Sequence, residues 1–372
     1  MNLPIIRPDV SFDEVADDLA AIIGSGMLTS GAYVARFEEA VAQAVGAGHA
    51  VATTSATTAL HLALVGHGVG PGDEVLVSDF TFPASGNVIV ELGATPVLVD
   101  SLPDAFPLDV ADAAAKVTER TRAIMAVHPF GQPADLDAVG DLAAAHGLAV
   151  VEDAACALGS SWGGDPCGSR HTGCFSFHPR KVVTTGEGGA ITTDDGDLAD
   201  RLRRLRTHGG IPARVGLEFV DNGFNYRLSE IPAALGLSQM GRLRSILDDR
   251  AATARRYEAL LADVEGVALR LPPEPATWSY QSFVVMVHEA IDRDDVISRL
   301  RSAGIETTLG TYAMHAHPAF ARFGYAPGDL PRSFAAQRDS LTLPLLPSMA
   351  ATDVERVVEA LATALREADR RG

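Results

Sequence analysis

Residues 136–153 read Leu136-Asp-Ala-Val-Gly-Asp-Leu-Ala-Ala-Ala-His-Gly-Leu-Ala-Val-Val-Glu-Asp153, and this stretch decides the fold class. Its first part, Leu136 to His146, has the composition and length of a helix. A short apolar, β-branched run follows, Leu148 to Val151, which is typical of a buried strand. The run ends in Glu152 and Asp153, so the sequence predicts carboxylates at the carboxyl end of that strand.

The same helix-and-strand unit recurs through the first half of the chain. Helix-like segments such as Thr57 to Val65 alternate with the earlier apolar runs. The seven candidate strands are His49–Thr53, Glu74–Val77, Pro96–Asp100, Ala123–Val127, Leu148–Asp153, Cys174–Phe177 and Ala190–Thr193. This alternation predicts an α/β fold with a mostly parallel seven-stranded sheet between helices, and ligands that bind beyond the carboxyl ends of its strands.

The remaining sequence predicts a second, smaller α+β domain. A long amphipathic pattern starts at Ser229 and runs to Leu261, and the chain then offers a strand at Ser282 to Val287 and a last helix from about Thr352. At the other end, Ser11-Phe-Asp-Glu14 has capping-box spacing ahead of a helix. We therefore expect three parts: a helical segment that packs with the small domain (1–24), a large cofactor-binding domain (25–240), and a spacer helix with the small domain (241–372).

The charge, the cysteines and the apolar runs of the chain disfavour several classes of partner and site. A net charge of -18 and a pI near 4.9 disfavour nucleic acid or an anionic membrane as the main partner. The three cysteines, Cys156, Cys167 and Cys174, are odd in number and lack Cys-x-x-Cys spacing, so they indicate neither a disulfide framework nor a zinc site. The start has no apolar signal core, and no later run is long enough to span a membrane. We expect a cytoplasmic protein.

Lys181 is the most informative single residue. It and Lys116 are the two lysines among 30 basic residues, so a chain that otherwise uses arginine has kept an amine here. A desolvated lysine can form a Schiff base, whereas a guanidinium cannot. Asp153, upstream, is a candidate partner for a protonated pyridine nitrogen, which suggests pyridoxal phosphate (PLP). The alternative for Asp153 is that it caps the next segment.

Other residues suit the rest of that cofactor. A phosphate fits the helix start within Ala52–Leu64, where the hydroxyls of Thr57 and Thr58 add donors, although any helix needs such an N-cap. Ser176 could donate a further hydrogen bond. Phe82 follows a strand and is either a stacking partner for the pyridine ring or a core residue.

These residues belong to motifs that resemble the DegT/StrS-type nucleotide-sugar aminotransferases, PLP enzymes of fold type I. The similar stretches occur in family order over most of the chain: Ser25–Gly31, Ser55–Leu60, His128–Asp135, Glu152–Gly159, Phe175–Gly189 and Gly223–Glu230.

The resemblance implies a role for each candidate residue. Lys181 forms the internal aldimine, Asp153 pairs with the ring nitrogen, and Phe82 stacks on the ring. The remaining cofactor residues are Ala56, Thr57, Thr58 and Ser176 at the phosphate and Cys156 at the cofactor edge. The resemblance also implies a homodimer with active sites at the interface, in which Asn225 of the other subunit reaches the phosphate. Substrate is expected to contact Arg227, Tyr312 and His315.

The implied reaction moves an amino group from L-glutamate or L-glutamine to a keto-sugar, most readily a nucleotide-linked keto-deoxysugar, by a ping-pong mechanism. Four departures from the family pattern leave the acceptor open: Met27, Cys156, Arg180 and the stretch Leu309–His315. A keto-cyclitol is an alternative acceptor, and a sugar-sensing homologue without catalysis is an alternative class.

Two other functional interpretations, a dinucleotide-binding site and a metal site, lack the sequence pattern that each requires. The glycine-rich stretch Gly66 to Gly72 lacks the third glycine of a dinucleotide fingerprint and leads from helix to strand, the reverse of the required order, so a nicotinamide-dependent dehydrogenase is disfavoured. His315 and His317 have no nearby Cys, Asp or Glu pattern that completes a coordination set, so we expect no metal.

Overall fold

Seven strands at the predicted positions form one central sheet. The structure, a computed structural model, describes residues 2–368. The strands are β1 (His49–Thr53), β2 (Glu74–Ser78), β3 (Thr95–Val99), β4 (Thr121–Val127), β5 (Ala149–Asp153), β6 (Thr172–Ser176) and β7 (Gly189–Thr193). Their order across the sheet is β1-β7-β6-β5-β4-β2-β3. The predicted α/β fold class is confirmed.

Strand direction places the carboxyl ends of the middle strands at one edge. β5 lies between β4 and β6 and runs parallel to both, whereas β7 is antiparallel to β1 and β6. In this register Asp153 is level with Val127 of β4 and Cys174 of β6. The last residue of β5 therefore stands at the edge where parallel sheets bind ligands.

Helices cover both faces of the sheet, which explains why its strands are apolar on both sides. The helices of the first 240 residues are α1 (Ala16–Ser25), α2 (Ala32–Val45), α3 (Ala56–Gly66), α4 (Ala84–Glu91), α5 (Val110–Ala115), α6 (Leu136–His146), α7 (Gly196–Leu205) and α8 (Glu230–Met240). One buried cluster joins β-strand residues to α3, α4 and α7, and another joins them to α5 and α6. Within residues 2–368 we find no helix with the length and apolar character needed to cross a membrane.

The rest of the chain forms a smaller α+β unit. It contains α9 (Leu243–Leu261), β8 (Val267–Leu269), β9 (Phe283–Val287), α10 (Arg293–Ser302), β10 (Thr308–Leu309), α11 (Pro331–Asp339), β11 (Ser340–Leu343) and α12 (Ala351–Glu367). Its sheet has the order β8-β9-β11-β10. The core includes Tyr257, which stacks on Phe283 at 4.8 Å between ring centroids and donates a 2.8 Å hydrogen bond to the Pro344 carbonyl.

A short antiparallel pairing joins the two units beside the predicted site. Residues Phe80–Thr81, just after β2, pair with Tyr312–Ala313 of the smaller unit. Next to this pairing, the buried Asp79 accepts hydrogen bonds from the His315 backbone N–H at 2.8 Å and contacts His315 Nδ1 at 2.6 Å. These contacts fix the position of the smaller unit against the ligand edge of the sheet.

Two helix predictions need correction. The long helix predicted from Ser229 is two helices, because α8 ends at Met240 and α9 starts at Leu243. Gly241 lies at the break, and glycine has a low helix propensity. The predicted capping box is also wrong, since α1 begins at Ala16 after Val15, which forms no side-chain cap.

The N-terminal residues contact both units. Leu3 pairs with Ile305 of the smaller unit, whereas α1 packs against α8 of the larger one. Arg242 adds ion pairs to Asp9 at 2.8 Å and to Glu14 at 3.0 Å. The expected packing of the N-terminal segment with the small domain remains a proposal, which the pairing of Leu3 with Ile305 supports. The boundaries at residues 24 and 240 remain a proposal.

Candidate active site

Asp153 is a buried carboxylate at the end of β5 with no cationic partner among residues 2–368. One oxygen, Oδ2, accepts a 2.7 Å hydrogen bond from Ser85 Oγ, and the other accepts one of 3.2 Å from the Ala155 N–H. Two neutral donors only partly offset the cost of burying an ionised carboxylate. A cation at this position, such as a pyridinium, would complete the site.

Ser85 is a site residue that the sequence did not reveal. It lies on α4, one helical turn after Phe82, and its hydroxyl also contacts Thr81 Oγ1 at 3.0 Å. Ser85 and Asp153 are 68 residues apart in the chain. No local pattern links them, because only the packing of α4 against the end of β5 brings the two side chains together.

Lys181 lies in the turn that follows β6 and faces the segment after Asp153. Its backbone N–H donates to the His178 carbonyl at 2.9 Å, and its Nζ lies 3.0 Å from Cys156 Sγ. Cys156 follows Asp153 by three residues, so the contact holds the amine beside the end of β5. Within the described chain, Lys181 forms no ion pair with a carboxylate. The predicted nucleophile and the predicted acid therefore share one edge of the sheet.

The start of α3 is shaped for an anion. Ser55 caps the helix by accepting from the Thr58 N–H at 3.2 Å, while Thr58 Oγ1 accepts from the Ser55 N–H at 3.0 Å. The N–H groups of Ala56 and Thr57 cannot be satisfied within a helix and point toward its N-terminal end. Because a side chain on Gly189 would collide with the Ser55 backbone, only glycine lets β7 pass so close.

The hydroxyls predicted around the phosphate differ in their surroundings. Thr57 is exposed, whereas the Thr58 hydroxyl is already engaged by Ser55 in the capping box. Ser176 is the last residue of β6 and is half-buried. These contacts to a phosphate remain predictions. Of these residues, Ala56 and Thr57 are the least engaged in hydrogen bonds with other groups.

Phe82 is not a core residue. It is 66% exposed, beside the ligand edge of the sheet, and its ring lies 6.4 Å from that of Tyr312. The structure thus excludes the alternative that Phe82 fills the core and leaves its ring available for stacking. Tyr312 comes from the smaller unit, and its ring also contacts His317 at 5.3 Å.

His315 is enclosed rather than open to the site. Its side chain and that of Asp79 are fully buried and lie 2.6 Å apart. Although burial opposes protonation, the hydrogen bond and charge of Asp79 raise the pKa of His315 above its ordinary value. Nδ1 is held by Asp79 and Nε2 lies 3.5 Å from the Pro327 carbonyl, so a contact of His315 with substrate remains a prediction.

Asn225 and Arg227 lie on the segment that leads into α8. Asn225 is exposed and pairs with Thr207, and Arg227 pairs with Thr53 at the end of β1. This segment also ends in Glu230, whose buried carboxylate accepts three backbone N–H bonds at the start of α2. The roles of Asn225 and Arg227 toward cofactor and substrate remain predictions.

A buried trio behind Asp153 has ligand-type atoms within 4.8 Å of one another: His128, Glu152 and Cys167. Glu152 Oε2 already contacts His128 Nε2 at 2.9 Å and accepts from the Gly168 N–H at 2.7 Å. His128 Nδ1 accepts from the Ala134 N–H at 3.0 Å. Since both His128 nitrogens and Glu152 Oε2 are held by hydrogen bonds, we interpret the trio as support for the end of β5.

The residues present fit PLP on their own geometry. A buried carboxylate without a counter-ion suits the ring nitrogen, a free amine suits the aldehyde carbon, an exposed phenyl suits the ring face, and a helix start suits the phosphate. In this chain those features are Asp153, Lys181, Phe82 and the start of α3.

Comparisons with known proteins agree with this geometry. A sequence profile of the DegT/DnrJ/EryC1/StrS aminotransferase family matches residues 11–362. GDP-perosamine synthase of Caulobacter vibrioides is 42% identical over 339 residues, which cover 89% of this chain and 90% of that enzyme. The structure of S. venezuelae DesV matches with a TM-score of 0.93 at 34% identity, over 99% of this chain and 100% of DesV. The putative sugar aminotransferase Spr1654 of Streptococcus pneumoniae, solved in its PLP form, matches with a TM-score of 0.93 at 28% identity, over 99% of both chains.

Proposed function

Because this chain belongs to the DegT/DnrJ/EryC1/StrS aminotransferase family, as its motifs predicted, we propose that it transfers an amino group from L-glutamate or L-glutamine to a nucleotide-linked keto-deoxysugar. It is a PLP-dependent aminotransferase. The observation that carries the proposal is the buried Asp153 carboxylate, which has no cationic partner among residues 2–368, at the same edge of the sheet as the Lys181 amine. The name of the relative GDP-perosamine synthase supports a GDP-linked acceptor.

Asp153, Lys181 and Cys156 would have different roles in such a transfer. When bound, PLP withdraws electrons from the α-carbon of an amino acid. The Asp153 carboxylate would keep the ring nitrogen protonated, which maximises that withdrawal. Lys181 Nζ would take the proton from the donor α-carbon and deliver it to the cofactor carbon C4′, on the other side of the amino nitrogen. Cys156 Sγ, 3.0 Å from Nζ, would hold the amine on this side of the ring.

The first sharp test identifies the acceptor. We load the pyridoxamine form with a panel of GDP-, dTDP- and UDP-linked keto-sugars and with keto-inositols, and we record which compound restores the visible band of the lysine-bound cofactor. We expect a GDP-linked keto-deoxysugar to restore it fastest. Restoration by a keto-inositol alone would instead identify a cyclitol aminotransferase. If neither glutamate nor glutamine bleaches the band beforehand, the aminotransferase itself is contradicted.

A homodimer is part of the same proposal. Large apolar side chains are exposed near the site and on or next to a hairpin in which residues 210–212 pair with residues 217–219: Met27, Leu28, Phe82, Leu217, Phe219, Val220 and Ile231. Leu28 and Ile231 are brought together because the Glu230 N–H donates to the Leu28 carbonyl at 2.9 Å. Exposed apolar surface of this kind is typical of protein interfaces. A second copy would cover it and could bring Asn225 to the partner's cofactor.

The dimer can be tested by changing the hairpin. The variant is Phe219→Asp, at a side chain that is 64% exposed. We expect sedimentation velocity to show a dimer for the unchanged protein and a monomer for the variant, because burying a charge in the interface opposes association. Cofactor affinity should fall in parallel. The matched control is Leu271→Asp, which alters an exposed leucine outside this surface. An unchanged protein that sediments as a monomer would contradict the proposed assembly.

We also propose a cytoplasmic location. All three cysteines, Cys156, Cys167 and Cys174, are unpaired. Free thiols, one of them beside the reactive amine, suit a reducing compartment.

A further inference from the structure

A cavity of about 80 Å³ lies between the Lys181 turn, the N-terminal segment and the smaller unit. Four cationic side chains line it, those of Arg7, Arg180, Lys181 and Arg250, and no Asp or Glu is among the described residues around it. The chain as a whole carries a net charge of -18. A cavity lined by positive side chains, in a protein with a negative net charge, concentrates small anions. Asp153 and Phe82 do not line the cavity, so it lies on the small-domain side of Lys181.

Arg250 is the buried member of this group. Its Nε donates to the Tyr280 carbonyl at 2.9 Å and its Nη2 to the Gln281 carbonyl at 2.5 Å. It forms no ion pair within residues 2–368. Burial lowers its pKa to about 10, so its charge is held at a cost. An anion in the adjacent cavity would offset that cost.

Arg7 and Arg180 are held in place through their backbones while their guanidinium groups stay free. The N-terminal segment is fixed by the pairing of Leu3 with Ile305 and by the Ile5 N–H, which donates to Glu306 at 3.2 Å. Gln281 Nε2 donates to the Arg180 carbonyl at 2.7 Å. Neither guanidinium forms a hydrogen bond or ion pair within the described residues, although many other arginines of the chain are paired with carboxylates. Two guanidinium groups that line one cavity and have no other partner within the described residues suit the binding of an oxyanion.

We propose that this cavity, which we call the arginine pocket (Arg7, Arg180 and Arg250), binds the side-chain carboxylate of the amino donor. The assignment rests on the proposed function and makes L-glutamate the preferred donor over L-glutamine. The hydroxyls of Ser282 and Thr308 also line the cavity and supply further donors. The diphosphate of a nucleotide-linked acceptor is separated from the reacting carbon by the sugar ring, so it would lie farther from Lys181.

Binding of glutarate tests the arginine pocket without any chemistry. Glutarate carries the two carboxylates of glutamate and no amine, so its dissociation constant can be measured by calorimetry on the cofactor-loaded protein. We expect Arg7→Ala and Arg180→Ala each to weaken glutarate about tenfold or more, the loss of one charge-assisted hydrogen bond, and Arg180→Lys to restore part of the affinity. GDP affinity should stay within about twofold. The matched control is Arg244→Ala, whose side chain is 90% exposed on α9.

The outcomes separate this proposal from the aminotransferase function. If both alanine variants bind glutarate like the unchanged protein, or if they lose GDP and keep glutarate, the assignment of the arginine pocket to the donor is overturned. In either case bleaching of the visible band by glutamate would still support amino transfer. The two arginines are exposed, so their replacement should leave the fold intact, and an unchanged melting temperature checks this.

Discussion

Lys181→Ala removes amino transfer. We expect turnover to fall by about a hundredfold to ten-thousandfold from the lost proton transfer alone, and further because the covalent link to the cofactor is lost. The visible absorbance band of the lysine-bound cofactor should disappear, and borohydride should no longer fix cofactor to the protein. A variant that keeps full turnover would refute the central assignment.

The chain offers a matched control for this experiment, because it contains one other lysine. Lys116 lies at the end of α5, where its amine pairs with Asp112 at 2.6 Å and donates to the Leu98 carbonyl at 2.8 Å. Lys116→Ala removes an amine with purely structural contacts. We expect unchanged absorbance and turnover, and a slightly lower melting temperature.

Asp153→Asn has the second largest expected effect. Asparagine keeps the shape of the side chain and removes its charge, so the ring nitrogen loses the counter-ion that keeps it protonated. We expect turnover to fall by about a hundredfold to a thousandfold, the range seen when one electrostatic stabiliser is removed from an active site. Cofactor affinity, measured by fluorescence quenching of the apoprotein, should fall as well. Normal affinity and turnover would show that Asp153 is only a cap.

Substitutions of Ser85 test the same carboxylate with a smaller expected effect on turnover. Ser85→Ala deletes the 2.7 Å hydrogen bond to Asp153 Oδ2 and leaves the carboxylate in place. A hydrogen bond to a charged group contributes about 1.5–3 kcal/mol, so we expect about a tenfold to hundredfold effect, smaller than that of Asp153→Asn. Ser85→Thr keeps the hydroxyl and should retain most activity. Equal losses in Ser85→Ala and Ser85→Thr would point to packing instead of positioning.

The sequence by itself determined the fold class and the chemistry. Seven apolar runs, the first five with helices between them, can bury both faces only as a covered sheet, and all seven predicted runs are strands of that sheet. Lys181 and Asp153 were identified because their chemical types are scarce or costly in those places, and that information is local. Helix ends were less certain: Gly241 interrupts a pattern whose apolar spacing continues across it.

Only the tertiary structure decided which side chains meet. Ser85 reaches Asp153 across 68 residues, His315 turns to Asp79 across 236, and Arg7 and Arg250 line the same cavity as Lys181. Arg180 stood out in the sequence only as a departure from the family pattern, and the cavity supplies a reason for its charge. The physical reason is that periodicity and residue type record local preference and burial, whereas hydrogen bonds and counter-ions between distant segments depend on how helices and sheets pack in three dimensions.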